Sequence, residues 1–201
     1  KVFSLSHTDP YTTIDGVSRT VSATWRNISQ FTTSSSDFET ETGTLGLDYA
    51  WPLTEFQSVR MGFAAQRSDL FTDPNSSAAE ALYWVQNNGN TYTEVQNVGI
   101  PPIALTYYGT RFDTFEYSLG WSYDSRNRAL FADRGSRHRL SASYALPFSD
   151  IDFVSFNYDY LQFIPVSKWF TLMFNSEAGY GQALGDTTSM PPYRRFFAGG
   201  P

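Results

Sequence analysis

Phe115-Glu116-Tyr117-Ser118-Leu119-Gly120-Trp121-Ser122-Tyr123 is the stretch that decides the fold. Large apolar or aromatic side chains take every odd position, while Glu, Ser, Gly and Ser take the even ones. A period of two is that of a β-strand, which turns successive side chains to opposite faces of a sheet. The pattern continues in both directions. Toward the C terminus, Leu140, Ala142, Tyr144 and Leu146 share a face, then Val154, Phe156, Tyr158 and Tyr160, then Phe170, Leu172, Phe174, Ala178 and Tyr180. Toward the N terminus come Val59, Met61, Phe63 and Ala65; Leu45, Leu47 and Tyr49; and Val17, Val21, Ala23 and Trp25, with Phe3 and Leu5 hinting at one more. The reading is all-β, with about eight antiparallel strands.

A soluble β-sandwich also alternates, but its outward face is solvated and rich in charge. Here charged residues make up only 17% of the 201-residue chain, and the polar face carries mostly small, uncharged side chains. A transmembrane β-barrel fits better, because each strand meets lipid only at every second residue. It needs no run of about 18 apolar residues, and none occurs; a mean hydropathy of −0.35 is no obstacle. Phe115, Tyr117, Leu119, Trp121, Phe156, Tyr158, Tyr160, Phe170, Leu172 and Phe174 are the expected lipid-facing set. Aromatics near strand ends, among them Phe56, Phe71, Phe112, Tyr123, Phe148 and Trp169, suit the interfacial girdles of such barrels.

Connections alternate in length. Turns at 8–16, 52–56, 127–137 and 165–168 belong to one end; segments 32–37, 72–111, 147–152 and everything after 184 belong to the other. In membrane barrels the short turns face the periplasm and the long loops face outside. Asp9, Pro10, Asp15, Gly16, Asp133, Gly135 and Arg137 are the periplasmic turn candidates. Segment 72–111 is too long for an ordinary connection. It is expected to carry one short helix, with Ser77 and Glu80 at capping-box spacing, Ala78, Ala81, Leu82 and Val85 on one face, and Asn88-Gly89 as the stop. Lys1 opens directly in a strand pattern and Pro201 closes on Ala198-Gly199-Gly200, so the chain reads as one domain cut from something longer.

The catalytic inventory is thin. Without Cys there is neither a disulfide nor a thiolate metal site. His7 stands next to ordinary turn chemistry at Asp9-Pro10, and His138 lies between Arg137 and Arg139, a poor setting for a protonated acid. No catalytic, metal or cofactor residues are assigned, and no enzyme activity is expected. Fourteen Lys and Arg against 20 Asp and Glu, with no basic run, exclude nucleic acid as a partner. The charge run from Asp124 to Arg137 is either a solvated turn, each exposed ion pair worth about 0.2–1 kcal/mol, or a fixed connection that docks a soluble domain. Glu39 and Glu41 share one strand face, expected to be the lumen or the loop base.

Three stretches carry a family resemblance. Residues 9–18, Asp-Pro-Tyr-Thr-Thr-Ile-Asp-Gly-Val-Ser, resemble the NPYFTxDGxS turn of the BamA family, within the BamA/TamA surface-antigen barrel superfamily. Gly120-Trp121-Ser122-Tyr123 through Phe131 to Arg137 is similar to its GWxY…GSR strand and turn. Gly179-Tyr180-Gly181, Leu184-Gly185, Met190-Pro191, Tyr193 and Phe196-Phe197-Ala198-Gly199-Gly200 resemble the start of its sixth extracellular loop.

The resemblance implies a barrel of about sixteen strands, of which this chain is the fourth to the eleventh. It implies a portion of the machine that folds and inserts β-barrel proteins into the Gram-negative outer membrane. Partners implied are outer-membrane lipid and lipopolysaccharide, nascent barrel clients, and periplasmic Bam lipoproteins through the full-length protein. Arg194, Arg195, Phe196, Phe197, Gly199 and Gly200 mark the start of loop six. Arg194 and Arg195 replace the family's Glu-Asn; they are expected either to reach lipopolysaccharide phosphates or acidic groups lining the lumen, or to lie in a solvated loop. A related transporter or a passive porin is the alternative. As eight strands of a wider barrel, the segment is expected to stay an open curved sheet.

Overall fold

The computed structural model describes residues 1–29, 38–72, 79–98, 103–128 and 130–195. Among these, strands β1 (Val2–Asp9), β2 (Ser18–Ser29), β3 (Phe38–Pro52) and β4 (Gln57–Thr72) are followed by helix α1 (Ala79–Asn87). Strands β5 (Asn90–Val98), β6 (Ile103–Asp124), β7 (Gly135–Ala145), β8 (Phe153–Pro165) and β9 (Thr171–Ala183) come next, then a 3-10 turn at Pro192–Arg194. Pairing is antiparallel throughout, in the order β1-β2-β3-β4-β6-β7-β8-β9, with β5 added beside the upper part of β6. Among the described residues β1 pairs only with β2 and β9 only with β8, so the sheet they form is open at both edges.

Unbroken register turns the period-two pattern into two continuous faces. The row His7–Val21–Leu47–Phe63–Tyr117–Tyr144–Val154 runs across seven strands, beside the row Leu5–Ala23–Leu45–Ala65–Phe115. This aromatic face is uncovered: Leu5 is 76% exposed, Leu45 65%, Phe156 45% and Leu172 57%. No second sheet packs on it among the described residues, which removes the sandwich reading. From Phe115 to Tyr123 the apolar stretch runs eight steps, about 27 Å along the strand. A barrel tilt of about 35–45° would leave about 20 Å of height, close to the apolar band of outer-membrane barrels.

The buried residues lie on the opposite face. Leu70, Trp84, Val85, Phe112, Ala145, Ile151 and Phe153 form one cluster where α1 covers the sheet at its long-loop end. The helix presents Ala81, Trp84 and Val85 inward, and Gly89 stops it at φ +67°, a left-handed conformation that glycine adopts without penalty. Ser77 and Ala78 lie outside the described residues.

Several expectations are corrected. Segment 72–111 is not a loop with a helix alone: β5 and the first nine residues of β6 form a hairpin, so β6 runs for 22 residues. Phe112 belongs to the buried cluster, not a girdle, because its even position on β6 turns it away from Phe115. His7 lies within β1, paired with Val21. Gly135 and Arg137 are strand residues, since pairing of Asp124 with Arg137 and a 2.8 Å bond from Ser125 N to Ser136 O carry the ladder past the expected turn. Phe170 precedes β9, in a turn closed by Val166 N donating to Phe170 O at 3.0 Å.

Gly135 has φ +103°, and a methyl group there would run into the Ser125 carbonyl. Gly135→Ala is therefore expected to destabilise the folded chain by about 1–3 kcal/mol. A lowered urea midpoint for unfolding from detergent micelles is the measurement.

Candidate functional site at the covered end of the sheet

Where α1 meets the small-residue face, the segment after β9 folds back over the sheet. Leu184 N donates to Asp152 O at 2.9 Å, and Asp152 N donates to Thr187 Oγ1 at 2.8 Å, so the chain leaves β9 tied to the start of β8. Thr188 and Asn88 then exchange two bonds: Thr188 N to Asn88 Oδ1 at 2.8 Å, and Asn88 Nδ2 to Thr188 Oγ1 at 2.7 Å. Trp84 Nε1 donates to Ser189 O at 2.8 Å. Buried polar groups that find partners in this way cost little, whereas each left alone would cost about 1–3 kcal/mol.

The 3-10 turn places Tyr193 and Arg194 against the sheet. Tyr193 stacks on Phe112 with ring centroids 6.4 Å apart and planes 14° off parallel. Burial pushes its phenol above the ordinary tyrosine value, so it stays protonated at neutral pH. Arg194 Nη2 donates to Glu116 Oε2 at 2.6 Å, with side-chain exposures of 30% and 11%, and its guanidinium lies 5.3 Å from the Phe153 ring centre. Arg195 turns the other way, to Glu80 of α1 at 2.5 Å, Met190 O at 3.2 Å and Ser189 Oγ at 3.3 Å. The two arginines thus join strand wall, helix and returning segment. Of the two destinations expected from sequence, both reach acidic groups, one on the sheet and one on the helix. Phe196, Phe197, Gly199 and Gly200 lie outside the described residues.

Trp84, Asn88 and Glu116 are parts of this site that sequence reasoning did not single out. Trp84 lay in the register of its neighbours Ala81 and Val85, a helical signal; Glu116 was visible as the single carboxylate among the small residues of 115–123.

At the same end, the aromatic face carries a charged row. Arg67 Nε and Nη2 grip Asp113 at 2.7 and 2.6 Å, Arg111 Nη2 donates to Asp69 at 2.8 Å, and Tyr92 Oη to Asp69 at 2.6 Å. Trp25 Nε1 donates to Glu41 at 2.8 Å and Asn27 Nδ2 to Glu39 at 2.9 Å. Glu39 and Glu41 are therefore on the aromatic face, not the lumen side, because they share parity with Leu45 and Leu47.

The opposite end holds the tight turns. Tyr11 N donates to Asp9 Oδ1 at 3.2 Å and Gly16 N to Thr13 O at 3.2 Å, closing the segment that contains Pro10 and Asp15. Arg126 Nη2 meets Asp124 at 2.7 Å, and Asn127 Nδ2 meets Asp133 at 2.6 Å. Beside them, His138 Nδ1 is 2.8 Å from Tyr158 Oη within a group of rings that includes Tyr123 and Tyr160. Among the described residues no serine or threonine hydroxyl is hydrogen-bonded to either histidine.

Comparison with known proteins matches this architecture. The Omp85 superfamily domain matches residues 1–201. Outer membrane protein assembly factor BamA of Neisseria meningitidis serogroup B is 30% identical over 200 residues, covering 98% of this chain and 23% of that protein. The crystal structure of BamA from Haemophilus ducreyi lacking POTRA domains 1–3 superposes with a TM-score of 0.79 at 21% identity, covering 99% of this chain and 36% of that one, and at this identity it speaks for the fold. The chain spans less than a quarter of the length of its curated relative. An open, single-layer sheet with one aromatic face, matched by the family model along all 201 residues of the chain, makes the chain a member of the Omp85 superfamily.

Proposed function

We propose that this chain forms the fixed wall of a machine that folds and inserts β-barrel proteins into the outer membrane of a Gram-negative bacterium. The observation that carries the reading is an Omp85 sheet of eight in-register barrel strands whose edges, β1 and β9, are left for further strands. In lipid, an unpaired strand edge leaves N–H and C=O groups unsatisfied at several kcal/mol each. A client strand that pairs with an edge of the complete barrel removes that cost, so folding and insertion proceed together without ATP. The work is non-covalent, and no residue of this chain is asked to act as a nucleophile, acid or base.

In this reading the aromatic face, including Phe115, Tyr117, Leu119, Trp121, Phe156, Tyr158, Tyr160, Leu172 and Phe174, meets hydrocarbon, with Phe170 at its lower border. The turns holding Asp9, Pro10, Asp15, Gly16 and Asp133 face the periplasm, where the connection between β6 and β7 offers a place for a lipoprotein to dock. Helix α1 and segment 184–195 cover the outer mouth. Arg194 and Arg195 hold the start of loop six against the wall, so that the loop departs from a fixed point.

Reconstituted into lipid vesicles, the full-length protein is expected to speed the folding of a urea-unfolded barrel client, relative to empty vesicles, with no nucleotide added. Large steady ion conductance without any such acceleration would instead identify a passive pore.

The two arginine contacts are expected to differ in weight. Glu116→Gln removes the charge from a largely buried partner and costs the latch about 1.5–3 kcal/mol. Glu80→Gln, at a carboxylate 79% exposed, costs under about 1 kcal/mol. Limited proteolysis of segment 184–195 checks this: faster cleavage in Glu116→Gln alone is the expected outcome.

A further inference from the structure

Asn88 follows the last residue of α1, and its side chain is almost wholly buried, with 4% exposure for the residue. Of the four hydrogen bonds a side-chain amide can make, three are made. Nδ2 donates to Trp84 O and Thr188 Oγ1 at 2.8 and 2.7 Å, and Oδ1 accepts from Thr188 N at 2.8 Å. The orientation of the amide is forced, because Trp84 O can only accept and Thr188 N can only donate. One bond therefore ties Asn88 to the helix, and two tie it to a residue 100 positions further along the chain.

The main chain of Asn88 is fixed to the wall. Thr110 Oγ1 of β6 donates to Asn88 O. Gly89 lies so close to β6 that a methyl group there would stand 2.7 Å from Thr110 Oγ1 and 3.1 Å from Phe112 Cβ. The end of α1 is thus seated on the strand, and Asn88 carries that position to the returning segment.

Other contacts hold the ends of segment 184–195. Leu184 N and Thr187 Oγ1 bond to the main chain of Asp152 at its start, while Arg194 and Arg195 meet Glu116 and Glu80 at its finish. Among the described residues, residues 188–189 are hydrogen-bonded from outside the segment by Asn88 and by Trp84, whose single indole donor reaches Ser189 O. A single bond leaves its partner free to pivot. Asn88 takes both the amide and the hydroxyl of Thr188, which fixes direction as well as place. A plain helix stop would need only the bond to Trp84 O.

We propose that Asn88 is a positioning residue: through Thr188 it makes the seat of α1 on β6 set the direction in which the chain leaves toward loop six, an inference that rests on the proposed function, where that loop departs from a fixed point.

The test uses full-length protein in lipid vesicles as wild type, Asn88→Ala, Thr188→Val, Thr188→Ser and the Asn88→Ala/Thr188→Val pair. Thr188→Val loses the hydroxyl at nearly constant shape, and Thr188→Ser keeps it. A heat-modifiable gel shift confirms that each barrel is folded. Hydrogen exchange of peptides covering 184–195 is expected to quicken roughly tenfold in Asn88→Ala, for two lost bonds to the segment, and roughly threefold in Thr188→Val, for one. Thr188→Ser is expected to match the wild type. The double variant is expected to exchange no faster than Asn88→Ala alone, since nothing is left for the second change to remove. Folding of a urea-unfolded barrel client is expected to slow in the same order. Effects of Asn88→Ala and Thr188→Val that multiply would leave Asn88 as a helix stop only and overturn the proposal, as would unchanged exchange in Asn88→Ala. Wild-type acceleration of client folding that Asn88→Ala leaves intact defeats the role of Asn88 alone. No acceleration by the wild type defeats the proposed function beneath it.

Discussion

Uninterrupted main-chain pairing is the constraint on which the rest of this structure depends. A strand surrounded by hydrocarbon has no water to fall back on, so every amide inside the bilayer needs a partner on the neighbouring strand. Pairing in strict register, from Val2 opposite Arg26 to Pro165 opposite Thr171, meets that demand along the whole sheet. Register also locks parity. One slipped residue would turn Phe115, Leu119 and Trp121 to the wet side and Glu116 to the lipid.

Because the aromatic face needs no protein partner, the buried core is small and lies at one end. It exists where α1 and segment 184–195 return over the small-residue face, and there ordinary globular packing rules hold. Trp84, Phe112 and Phe153 are almost wholly buried, and the polar side chains of Asn88, Thr110 and Trp84 beside them are paired, while Thr114 Oγ1 and Asp152 Oδ1 have no hydrogen-bond partner. Glu116 is the one carboxylate in the alternating core of β6, and it is answered by Arg194. A carboxylate at 11% exposure is tolerable only with such a partner. The same residue types act differently on the other face, where Arg67 and Arg111 pair with aspartates while largely exposed and add little to the stability of the fold.

The legible and the illegible divide along this line. The eight strands of the main path and α1 with its stop at Asn88-Gly89 were readable, because each follows from local period or from turn chemistry, whereas the open sheet followed from the family resemblance. Phe112, Glu39 and Glu41 were misplaced for a shared reason: proximity to a strand end or a loop was weighed above parity, although their parity with Phe115 or Leu45 was available. The β5–β6 hairpin was missed because Thr, Asn and Gln dominate 90–98, and a hairpin standing clear of the membrane has no apolar face to announce it. Gly135 and Arg137 looked like turn residues from composition, but cross-strand bonds decide where a ladder ends.

Sequence by itself determined the alternating β architecture with its aromatic face and the family resemblance, since alternation and turn residues are encoded within a few neighbouring positions. Only the tertiary structure decided that Arg194 reaches Glu116 and Arg195 reaches Glu80, contacts spanning 78 and 115 residues. Those meetings depend on how eight strands stack side by side and where the chain returns over them, and no local period carries that information.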